Sequence, residues 1–388
     1  MRLLYINDEL ATGDGSNSHA VGMLLAFKEV LGDENVESYP DPENGSEKAV
    51  NYGVNKLKAK LKGILAVIRY FRKKYTSIRR SKEIISRLNN KRYIPTHIIA
   101  RSTDFDVTSI YVARWFKAKL VYEINTPMFY ERGVIKKEPM ICALEKWEKR
   151  IIEASDYVYV VSNICRDMLC EHYGSNKDKF IVIPNGYMAE LYTDPETERK
   201  QIRNEIRQIE GVEDKFVVAF LGSLKVWHGI KTFCETAELM QQDKDVIFLV
   251  LGDGEMHDMI ADYTKNHSNM IFKGKVSLKT MKRYLYASDL GIMPYAMQDN
   301  FYYSPLKMYD MIGSGLPFIG TSVGQIEEYC KENAMENALL EIITASEIKK
   351  KISAVKSGKI KIEQFNQKCD TWLKRSQMIL QYIGGEMK

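Results

Sequence analysis

The chain has 388 residues, of which 45% are hydrophobic and 28% charged, and its formal net charge is +5. This composition is typical of a globular protein and excludes a disordered, collagenous or disulfide-stapled chain. The length predicts two domains, since one domain commonly takes about 100–200 residues. The charge is uneven: residues 56–92 carry 14 Lys and Arg against one acid, which leaves the rest of the chain with a charge of −8.

The six cysteines stand singly, without a CxxC pair, which indicates free thiols in a cytosolic protein. The apolar run at the N-terminus is too short for a signal peptide, and we expect it to form the first buried strand. No stretch approaches the ~20 apolar residues that a membrane helix needs. A membrane-spanning segment is therefore not expected, which leaves attachment to a membrane surface open.

Apolar runs of strand length alternate with helical patterns, which is typical of parallel α/β sheets. The first half predicts strands at 3–6, 97–100, 119–122, 157–161 and 180–183. The second half predicts strands at 216–221, 246–251, 270–272, 290–293 and 317–320, with helices at 230–241, 255–265, 278–287 and 305–314. The predicted fold class is therefore α/β, with two Rossmann-like domains facing across a cleft and ligands beyond the carboxyl ends of the strands.

Three glycine-containing turns follow predicted strands, at residues 13–17, 222–225 and 252–254. Glycine allows positive φ and a close approach of the backbone to a ligand, and a helix that follows offers unpaired N–H groups. One such turn is a weak signal because glycine turns are common after strands. Three of them at strand ends favour a nucleotide or a sugar phosphate as the ligand.

Residues 304–310, Ser-Pro-Leu-Lys-Met-Tyr-Asp, give a more specific signal. Ser304 and Pro305 predict an N-cap and the first residue of a helix. Lys307 then lies in the first turn, where a cation opposes the helix dipole, so a bound anion such as a diphosphate explains it better than helix stability does. Asp310 lies one turn further on, where a carboxylate can accept hydrogen bonds from a ribose diol.

Several chemistries lack their motifs in this chain. There is no GxxxxGK[ST] phosphate loop, no HExxH, no paired-cysteine zinc pattern and no GxSxG elbow. The six histidines do not fall at metal-ligand spacing with a second His or Cys, so neither a metal nor a cofactor is expected. The GxGxxG dinucleotide fingerprint is also missing, which disfavours a nicotinamide enzyme.

The motifs, taken in order, resemble the retaining glycosyltransferases of the GT-B fold, in the group 1, family 4-like class. The resemblance covers nearly the whole chain and rests on the glycine loop before His19, on Glu123-x-Asn125-x-Pro127, and on Ile183-Pro-Asn-Gly186. It continues through the turns that begin at Gly222 and Gly252 and through residues 304–310 followed by Gly315-Leu316-Pro317. Each motif alone is weak to moderate, whereas their shared order and spacing are specific.

This resemblance implies an acceptor-binding domain at 1–188, a nucleotide-sugar domain at 189–364 and a C-terminal helix at 365–388 that crosses back to the first domain. It implies catalytic roles for Lys225, His228, Lys307 and Asn125. The implied donor-binding residues are Gly222, Ser223, Gly252, Gly254, Val276, Tyr303, Ser304, Pro305, Leu306 and Asp310. The implied acceptor and phosphate loop consists of Gly13, Gly15, Ser16, Asn17, His19 and Glu123.

The implied chemistry is a retaining transfer through an oxocarbenium-like transition state, without a protein nucleophile and without a metal. Cations and helix N–H groups would stabilise the diphosphate of a UDP- or GDP-sugar as it leaves. The chain departs from the commoner pattern: many members have Arg and Lys where Ser223 and His228 stand, and Glu where Tyr302 and Asp310 stand. Asn125 is the nearest match to the family's acceptor-side histidine.

Residues 55–91 have apolar positions at helical spacing and Lys or Arg on the other face, which predicts a basic amphipathic helix. A helix packed on the sheet with a solvated basic face is one interpretation. Nucleic-acid binding is disfavoured because no base-reading fold accompanies the segment. Attachment to anionic lipid is the preferred interpretation, with a membrane patch of Lys58, Lys62, Arg69, Arg72, Lys73, Lys74, Arg79 and Arg80.

The sequence therefore predicts a transferase at the cytoplasmic face of the cell membrane that passes a sugar from a nucleotide sugar to a lipid-linked or oligosaccharide acceptor, in bacterial surface polysaccharide assembly. Two alternatives remain open. One is a GT-B nucleotide-sugar epimerase, which would act without an acceptor. The other is a catalytically inactive subunit that docks a partner transferase on the membrane.

Overall fold

The computed structural model describes residues 1–11, 15–41, 62–101, 103–362 and 370–385. The chain forms two compact units, one of Met1–Pro184 with Trp372–Lys388 and the other of Asn185–Thr371. Each unit contains a parallel sheet of six strands, connected by helices. The predicted α/β class is confirmed.

The first unit has a sheet in the order β2-β1-β3-β4-β5-β6. Its strands are β1 (Leu3–Asn7), β2 (Val36–Tyr39), β3 (His97–Arg101), β4 (Lys119–Ile124), β5 (Tyr157–Val160) and β6 (Phe180–Val182). Its helices up to this point are α1 (Gly15–Leu31), α2 (Lys62–Asn90), α3 (Thr108–Phe116), α4 (Ile141–Ala154) and α5 (Asn163–Tyr173), with a π-helical segment at Phe129–Ile135. The strand order reverses between β1 and β3, which is where sheets of this kind bind ligands.

The second unit has a sheet in the order β12-β11-β10-β7-β8-β9, which reverses between β7 and β10. Its strands are β7 (Phe216–Leu221), β8 (Val246–Leu251), β9 (Met270–Phe272), β10 (Leu290–Met293), β11 (Phe318–Thr321) and β12 (Leu339–Leu340). Its helices are α6 (Glu196–Glu210), α7 (Ile230–Leu239), α8 (His257–Asn266), α9 (Leu278–Ala287), α10 (Leu306–Ser314), α11 (Gly324–Glu332) and α12 (Ala345–Lys356). The last helix, α13 (Trp372–Gly384), belongs to the first unit and packs against α1.

The central strands of the second unit read as continuous apolar runs because both faces of the sheet are covered. Val217, Ala219 and Leu221 of β7 join the core that includes Met308 and Ile312 of α10. The alternate residues of the same strand, Val218 and Phe220, join a second core with residues of α7 and α12. Successive side chains of a strand point to opposite faces, so one apolar run supplies two cores.

Two strands were not predicted, and both lie at the edge of a sheet. β2 has the sequence Val-Glu-Ser-Tyr with only Val36 buried, and β12 is two residues long. An edge strand is covered on fewer sides, so its sequence does not show the long apolar run that marked the central strands. Within the described residues, no helix combines the length and apolarity required to cross a membrane.

The segment between β6 and β7 contains α6, the surface helix predicted there. A buried ion pair connects α6 to the second sheet. Arg207 of α6 is buried and pairs with Asp289, which also accepts a hydrogen bond from the N–H of Val217 at 2.8 Å. Arg203 pairs with the same carboxylate. Asp289 therefore joins α6 to the start of β7.

We predict that Asp289→Ala lowers the free energy of unfolding by about 3–5 kcal/mol, because it leaves the Arg207 guanidinium buried without its counter-ion. Urea denaturation followed by circular dichroism measures the change. The matched control is Asp262→Ala, which removes an exposed pair with Lys265 and is expected to change stability by less than about 1 kcal/mol. Equal effects of the two variants would contradict the structural role of Asp289.

Candidate functional site

The candidate site of the second unit lies at the carboxyl ends of β7 and β10, where the strand order reverses. Gly222 follows β7 with a φ of 118°, a conformation that side chains rarely adopt. The side chain of Lys307 runs beside it, so that a Cβ at Gly222 would lie 3.0 Å from Lys307 Cε. Glycine at this position lets the lysine reach the end of the sheet.

The glycines of the second turn pack closely against the first turn. A Cβ at Gly252 would lie 1.8 Å from the carbonyl oxygen of Gly222, and a Cβ at Gly254 would lie 2.8 Å from the backbone nitrogen of Leu224. Both glycines also have positive φ. Close packing between the two turns therefore already requires these glycines, whether or not a phosphate binds there.

Lys307 is the most unusual group in this site. It is 6% exposed, and its Nζ has no hydrogen-bond partner in the described chain. The ammonium lies 4.4 Å from the ring centroid of Phe220 and 5.0 Å from that of Tyr295. Burial lowers the pKa of Lys307 to about 7, because an apolar environment disfavours the charged form.

His228 and Lys225 lie in the turn after β7, and they differ in exposure. The His228 ring packs edge-on against Tyr295 at 5.1 Å, and its Nδ1 lies 2.6 Å from the carbonyl oxygen of Ser223. Lys225 is exposed, and its Nζ lies 4.8 Å from the ring centroid of Trp227. Tyr295 therefore brings His228 and Lys307 together, whereas Lys225 lies on the surface.

The helix that carries Lys307 begins one residue later than expected. α10 starts at Leu306, with Pro305 in the N-cap position and no side-chain cap. The Ser304 hydroxyl oxygen instead accepts a hydrogen bond from the backbone N–H of Asn185 at 2.9 Å, and the Ser304 carbonyl accepts one from the Asn185 side chain at 2.6 Å. The N-cap prediction for Ser304 is therefore wrong, because Asn185 binds that hydroxyl.

Asp310, predicted to bind a ribose, faces Tyr192 within the second unit. The Tyr192 hydroxyl donates a hydrogen bond to Asp310 at 3.0 Å. Burial raises the pKa of Asp310 to about 6, and this hydrogen bond opposes the rise. Two other predicted donor residues, Val276 and Tyr303, are partly buried and pack against the core on the α10 side of the sheet.

In the first unit, Glu123 at the end of β4 is the centre of a buried polar network. It is 1% exposed. Its carboxylate accepts hydrogen bonds from the side-chain amide of Asn125 at 2.7 Å, from Arg101 at 3.3 Å and from the hydroxyl of Tyr159. The donors come from three adjacent strands, β3, β4 and β5, or from the residues that follow them. A carboxylate buried this deeply requires such partners.

His19 of α1 joins the same network through both ring nitrogens. Nδ1 lies 3.1 Å from Arg101 Nη1, and Nε2 lies 3.3 Å from Glu123 Oε1. Trp372 of α13 packs edge-on against the ring at 4.7 Å, and it also fills the space where Gly22 would carry a Cβ. Burial lowers the pKa of His19 to about 4, because the Glu123 charge opposes this fall only in part and the Arg101 charge adds to it.

Asn125 keeps one polar atom available for a ligand. Its amide nitrogen is used by Glu123, whereas its Oδ1 is buried and lacks a partner within the described residues. The rest of the predicted loop is only partly described. Gly13 lies outside the described residues, and Gly15, Ser16 and Asn17 form the start of α1 without a description of their side chains.

The predicted membrane patch divides into two groups of residues. Arg69 pairs with Asp104, Lys73 with Thr103, and Arg80 with both Asp8 and Asp106. These three cations attach α2 to the first unit and are not available to a membrane. The candidate membrane patch is therefore reduced to the other five residues. Arg72, Lys74 and Arg79 are exposed, Lys58 lies outside the described residues, and the side chain of Lys62 is not described.

The same outward face of α2 also carries apolar side chains. Phe71 is 62% exposed and Tyr75 is 71% exposed, and Ile68 and Ile78 lie near them at helical spacing and are exposed as well. The inward face carries the buried residues Ser77, Ser81, Ile84 and Leu88. An apolar outward face mixed with cations is typical of helices that lie in a membrane interface.

Three residues that matter in these sites were not singled out in the sequence. Tyr295 follows β10, Arg101 ends β3, and Tyr159 lies within β5. Only Arg101 carried a detectable signal, since it is a charged residue at the end of a buried strand. In the described ranges, no three His, Cys, Asp or Glu side chains come together as they would around a metal ion.

Two glycosyltransferase families match the chain, one in each half. Residues 45–190 match the family described as glycosyltransferase family 4, and residues 215–356 match the family described as group 1 glycosyl transferases. The putative teichuronic acid biosynthesis glycosyltransferase TuaH of Bacillus subtilis is 26% identical over 178 residues. That match covers 45% of this chain and 43% of TuaH, so this chain spans less than half the length of that relative.

Solved structures resemble the whole chain. The match to HepE of Anabaena in complex with UDP covers 98% of this chain and 95% of the HepE chain, with 16% identity and a TM-score of 0.62. The match to a glycosyltransferase from Rickettsia africae covers 98% of this chain and 92% of the Rickettsia chain, with 13% identity and a TM-score of 0.63. At this identity the likeness shows the fold, and the GT-B fold predicted from the motifs is confirmed.

We predict that the buried His19 makes the first unit sensitive to acid. Its pKa in the folded protein is about 4, below the ~6.5 of the unfolded chain, so the unfolded state binds the proton first. The contribution of neutral His19 to the free energy of unfolding is fully present above pH 6.5. It falls by about 3 kcal/mol as the pH drops from 6.5 to 4. Thermal unfolding of wild type and of His19→Gln at pH 7.5 and pH 4.5 measures the difference. An equal loss of stability in both proteins would contradict it.

Proposed function

Because the chain belongs to the group 1, family 4-like glycosyltransferases of the GT-B fold, we propose that it transfers a sugar from a nucleotide sugar to a glycan acceptor. The proposed reaction is retaining and independent of metal ions, and the proposed acceptor is lipid-linked. The observation that carries the proposal is the buried Lys307 ammonium without a partner at the end of the second sheet.

A buried lysine that lacks a counter-ion is unfavourable unless a ligand supplies the negative charge. Lys307 meets this condition at the point of the sheet where strand order reverses, which is where α/β sheets bind nucleotides. The first N–H groups of α10 also lack partners within the helix and carry its positive dipole end. The diphosphate of a nucleotide sugar fits both features.

The relatives support a nucleotide sugar as the donor. Solved structures of HepE contain UDP and UDP-glucose. The proposed donor is a UDP- or GDP-sugar. Asp310, which lies one turn after Lys307, is the proposed partner of the ribose hydroxyls, and Tyr192 holds its carboxylate in place.

The proposed chemistry needs no nucleophile from the protein. The bond between the anomeric carbon and the diphosphate oxygen breaks, the acceptor oxygen bonds to the same face of the carbon, and the acceptor proton passes to the departing phosphate. Negative charge develops on the diphosphate as it leaves, and Lys307 with the α10 N-terminus stabilises that charge. Lys225 lies on the surface of the same turn and is a proposed secondary cation.

The acceptor is proposed to bind the first unit at the carboxyl ends of β1, β3 and β4. Asn125 Oδ1 offers a hydrogen-bond acceptor there for a sugar hydroxyl. Glu123 and His19 are proposed to position Asn125 and Arg101 rather than to exchange protons with substrate, because their polar atoms already have partners. The similarity to TuaH supports a polysaccharide acceptor.

The outward face of α2 is proposed to rest on an anionic membrane, which would bring the enzyme to a lipid-linked acceptor. Arg72, Lys74 and Arg79 match anionic headgroups, and Phe71 and Tyr75 offer apolar surface to the interface. Each Lys or Arg near such a surface contributes about 1 kcal/mol. The combination of cations and exposed rings on one helix face supports this location.

We predict that Lys307→Met lowers the kcat of sugar transfer by about 10²–10³-fold, the loss typical when one charge-stabilising donor is removed. The same variant should be more stable than wild type without substrate, by about 1–4 kcal/mol, because the unpaired buried charge is gone. Turnover of UDP- and GDP-sugars with a lipid-linked acceptor, in the presence of EDTA, gives the first value and thermal unfolding the second. The anomeric configuration of the product, read by NMR, tests retention.

The matched control is Lys279→Met, an exposed lysine on α9, which should leave both quantities unchanged. A pH series adds a second check. Lys307 binds diphosphate as the protonated form, and its pKa without substrate is about 7, so the donor KM should rise as the pH increases above 7. Normal turnover by Lys307→Met, or isomerised donor without acceptor, would contradict the proposed transferase.

We predict that the double substitution Arg72→Ser with Arg79→Ser weakens binding to phosphatidylglycerol-containing vesicles about thirty-fold, since two cations at ~1 kcal/mol each are lost. The double substitution Phe71→Ser with Tyr75→Ser should also weaken binding, and it should remove the part that survives high salt, because apolar contact is not screened. Vesicle co-sedimentation measures both.

The control for this experiment is Lys231→Ser with Lys279→Ser, which removes two exposed lysines from the second unit. Vesicle binding by this control should equal that of wild type. If neither α2 variant reduces binding, α2 is not the membrane surface, and transfer to a detergent-dispersed acceptor shows whether the transferase proposal still holds.

A further inference from the structure

The protonation state of His228 follows from one contact. Its Nδ1 lies 2.6 Å from the carbonyl oxygen of Ser223, and a carbonyl oxygen can only accept a hydrogen bond. Nδ1 therefore carries the proton. In the neutral ring, Nε2 then has a lone pair and can only accept. No group within the described residues pairs with Nε2, so this atom is available to a ligand.

The ring is held in this orientation by its surroundings. The ring lies nearly perpendicular to those of Tyr295 and Trp227, with centroid separations of 5.1 Å and 5.7 Å. Gly229, the next residue, has a φ of 72°, and a Cβ there would lie 1.6 Å from the carbonyl oxygen of Pro294. The turn therefore packs closely against the end of β10, which fixes the backbone that carries His228.

Burial and, to a smaller extent, the nearby charges keep the His228 ring neutral. Burial is the largest influence, and the Lys307 and Lys225 ammonium groups add to it, so the pKa of His228 falls to about 3. The hydrogen bond to Ser223 opposes the fall but does not reverse it. A second cation beside Lys307 would cost free energy in the absence of a ligand, and the imidazole avoids this by remaining uncharged.

A neutral acceptor discriminates between the parts of a nucleotide sugar. The oxygens of an ionised diphosphate are acceptors only, and an acceptor facing another acceptor is unfavourable. The hydroxyls of the sugar and of the ribose can donate. We propose that His228 Nε2 accepts a hydrogen bond from a donor hydroxyl, on the sugar or the ribose, and selects the donor rather than neutralising its diphosphate. This inference rests on the proposed function.

One consequence concerns the division of work in the site. Many members of the family that this chain resembles have a lysine where His228 stands. In this protein, Lys307 and the α10 N-terminus would balance the diphosphate charge without a cation at position 228. A donor that lacks the recognised hydroxyl would leave Nε2 unpaired. Such an analogue should bind less well, because a polar atom that a ligand covers without pairing it is costly.

Three probes separate the alternatives when binding to wild type and His228→Ala is measured by calorimetry. Inorganic pyrophosphate has neither a ribose nor a sugar hydroxyl, so its affinity should be the same for both proteins. UDP or GDP adds the ribose, and the nucleotide sugar adds the sugar. We expect a loss of about tenfold at the step that introduces the recognised hydroxyl: with the nucleoside diphosphate if it is a ribose hydroxyl, and only with the nucleotide sugar if it is a sugar hydroxyl.

A tenfold loss of pyrophosphate affinity in His228→Ala would overturn the inference, and so would unchanged affinity for all three probes. Lys307→Met is the positive control, because it should lose pyrophosphate binding. If Lys307→Met retains pyrophosphate binding, the proposed diphosphate site has failed rather than the role of His228. The two failures are therefore distinguishable.

Nitrogen NMR of the labelled histidine provides a readout that a purely structural role would not change. Nε2 should be unprotonated between pH 5 and pH 8, both without ligand and with pyrophosphate. Its signal should shift only when the nucleotide or nucleotide sugar that carries the recognised hydroxyl binds. A protonated Nε2 in the pyrophosphate complex would show that His228 acts as a cation and would contradict the inference.

Discussion

A charged ammonium group is unfavourable in an apolar environment, and this constraint organises the second unit. Lys307 reaches the carboxyl end of the sheet between Phe220 and Tyr295, and Gly222 provides the space for it. The rings stabilise the cation partly through their electron-rich faces but cannot replace an anion. A negatively charged ligand would satisfy this charge, and this links the fold of the second unit to the proposed donor.

The same reasoning separates residues that bind from residues that position. In the first unit, Glu123, His19, Arg101 and Tyr159 satisfy one another's hydrogen bonds. A satisfied buried network is rigid, and it holds its members in place. Three atoms in the candidate sites have no hydrogen-bond partner among the described residues and are not used by these networks: Lys307 Nζ, Asn125 Oδ1 and His228 Nε2. Their chemistry is that of one cation and two hydrogen-bond acceptors, which suits a diphosphate and sugar hydroxyls.

Helix α2 shows how the same residue type serves two purposes. Arg69 and Arg80 pair with buried or partly buried aspartates and fasten the helix to its unit. Arg72 and Arg79 lie on the exposed side of the helix, with exposed aromatic and aliphatic side chains. The net charge of +13 in residues 56–92 thus overstates the charge that a membrane would meet. The face that remains is smaller, and it is more apolar than the sequence indicated.

The α/β class, the positions of the central strands and the family were all predictable from the sequence, because buried strands leave continuous apolar runs and the motifs keep their order. The sequence also identified Lys307, whose place in the first turn of a helix opposes the dipole. The edge strands β2 and β12 were not predicted, because a strand covered on fewer sides does not need a long run of apolar residues. Three contacts became visible in the folded structure alone. The Asn185 N–H donates to the Ser304 hydroxyl, and Tyr295 contacts both Lys307 and His228. The Ser223 carbonyl sets the tautomer of His228. These depend on distances between residues far apart in the chain or on the local path of a turn, and residue types and spacing do not specify either.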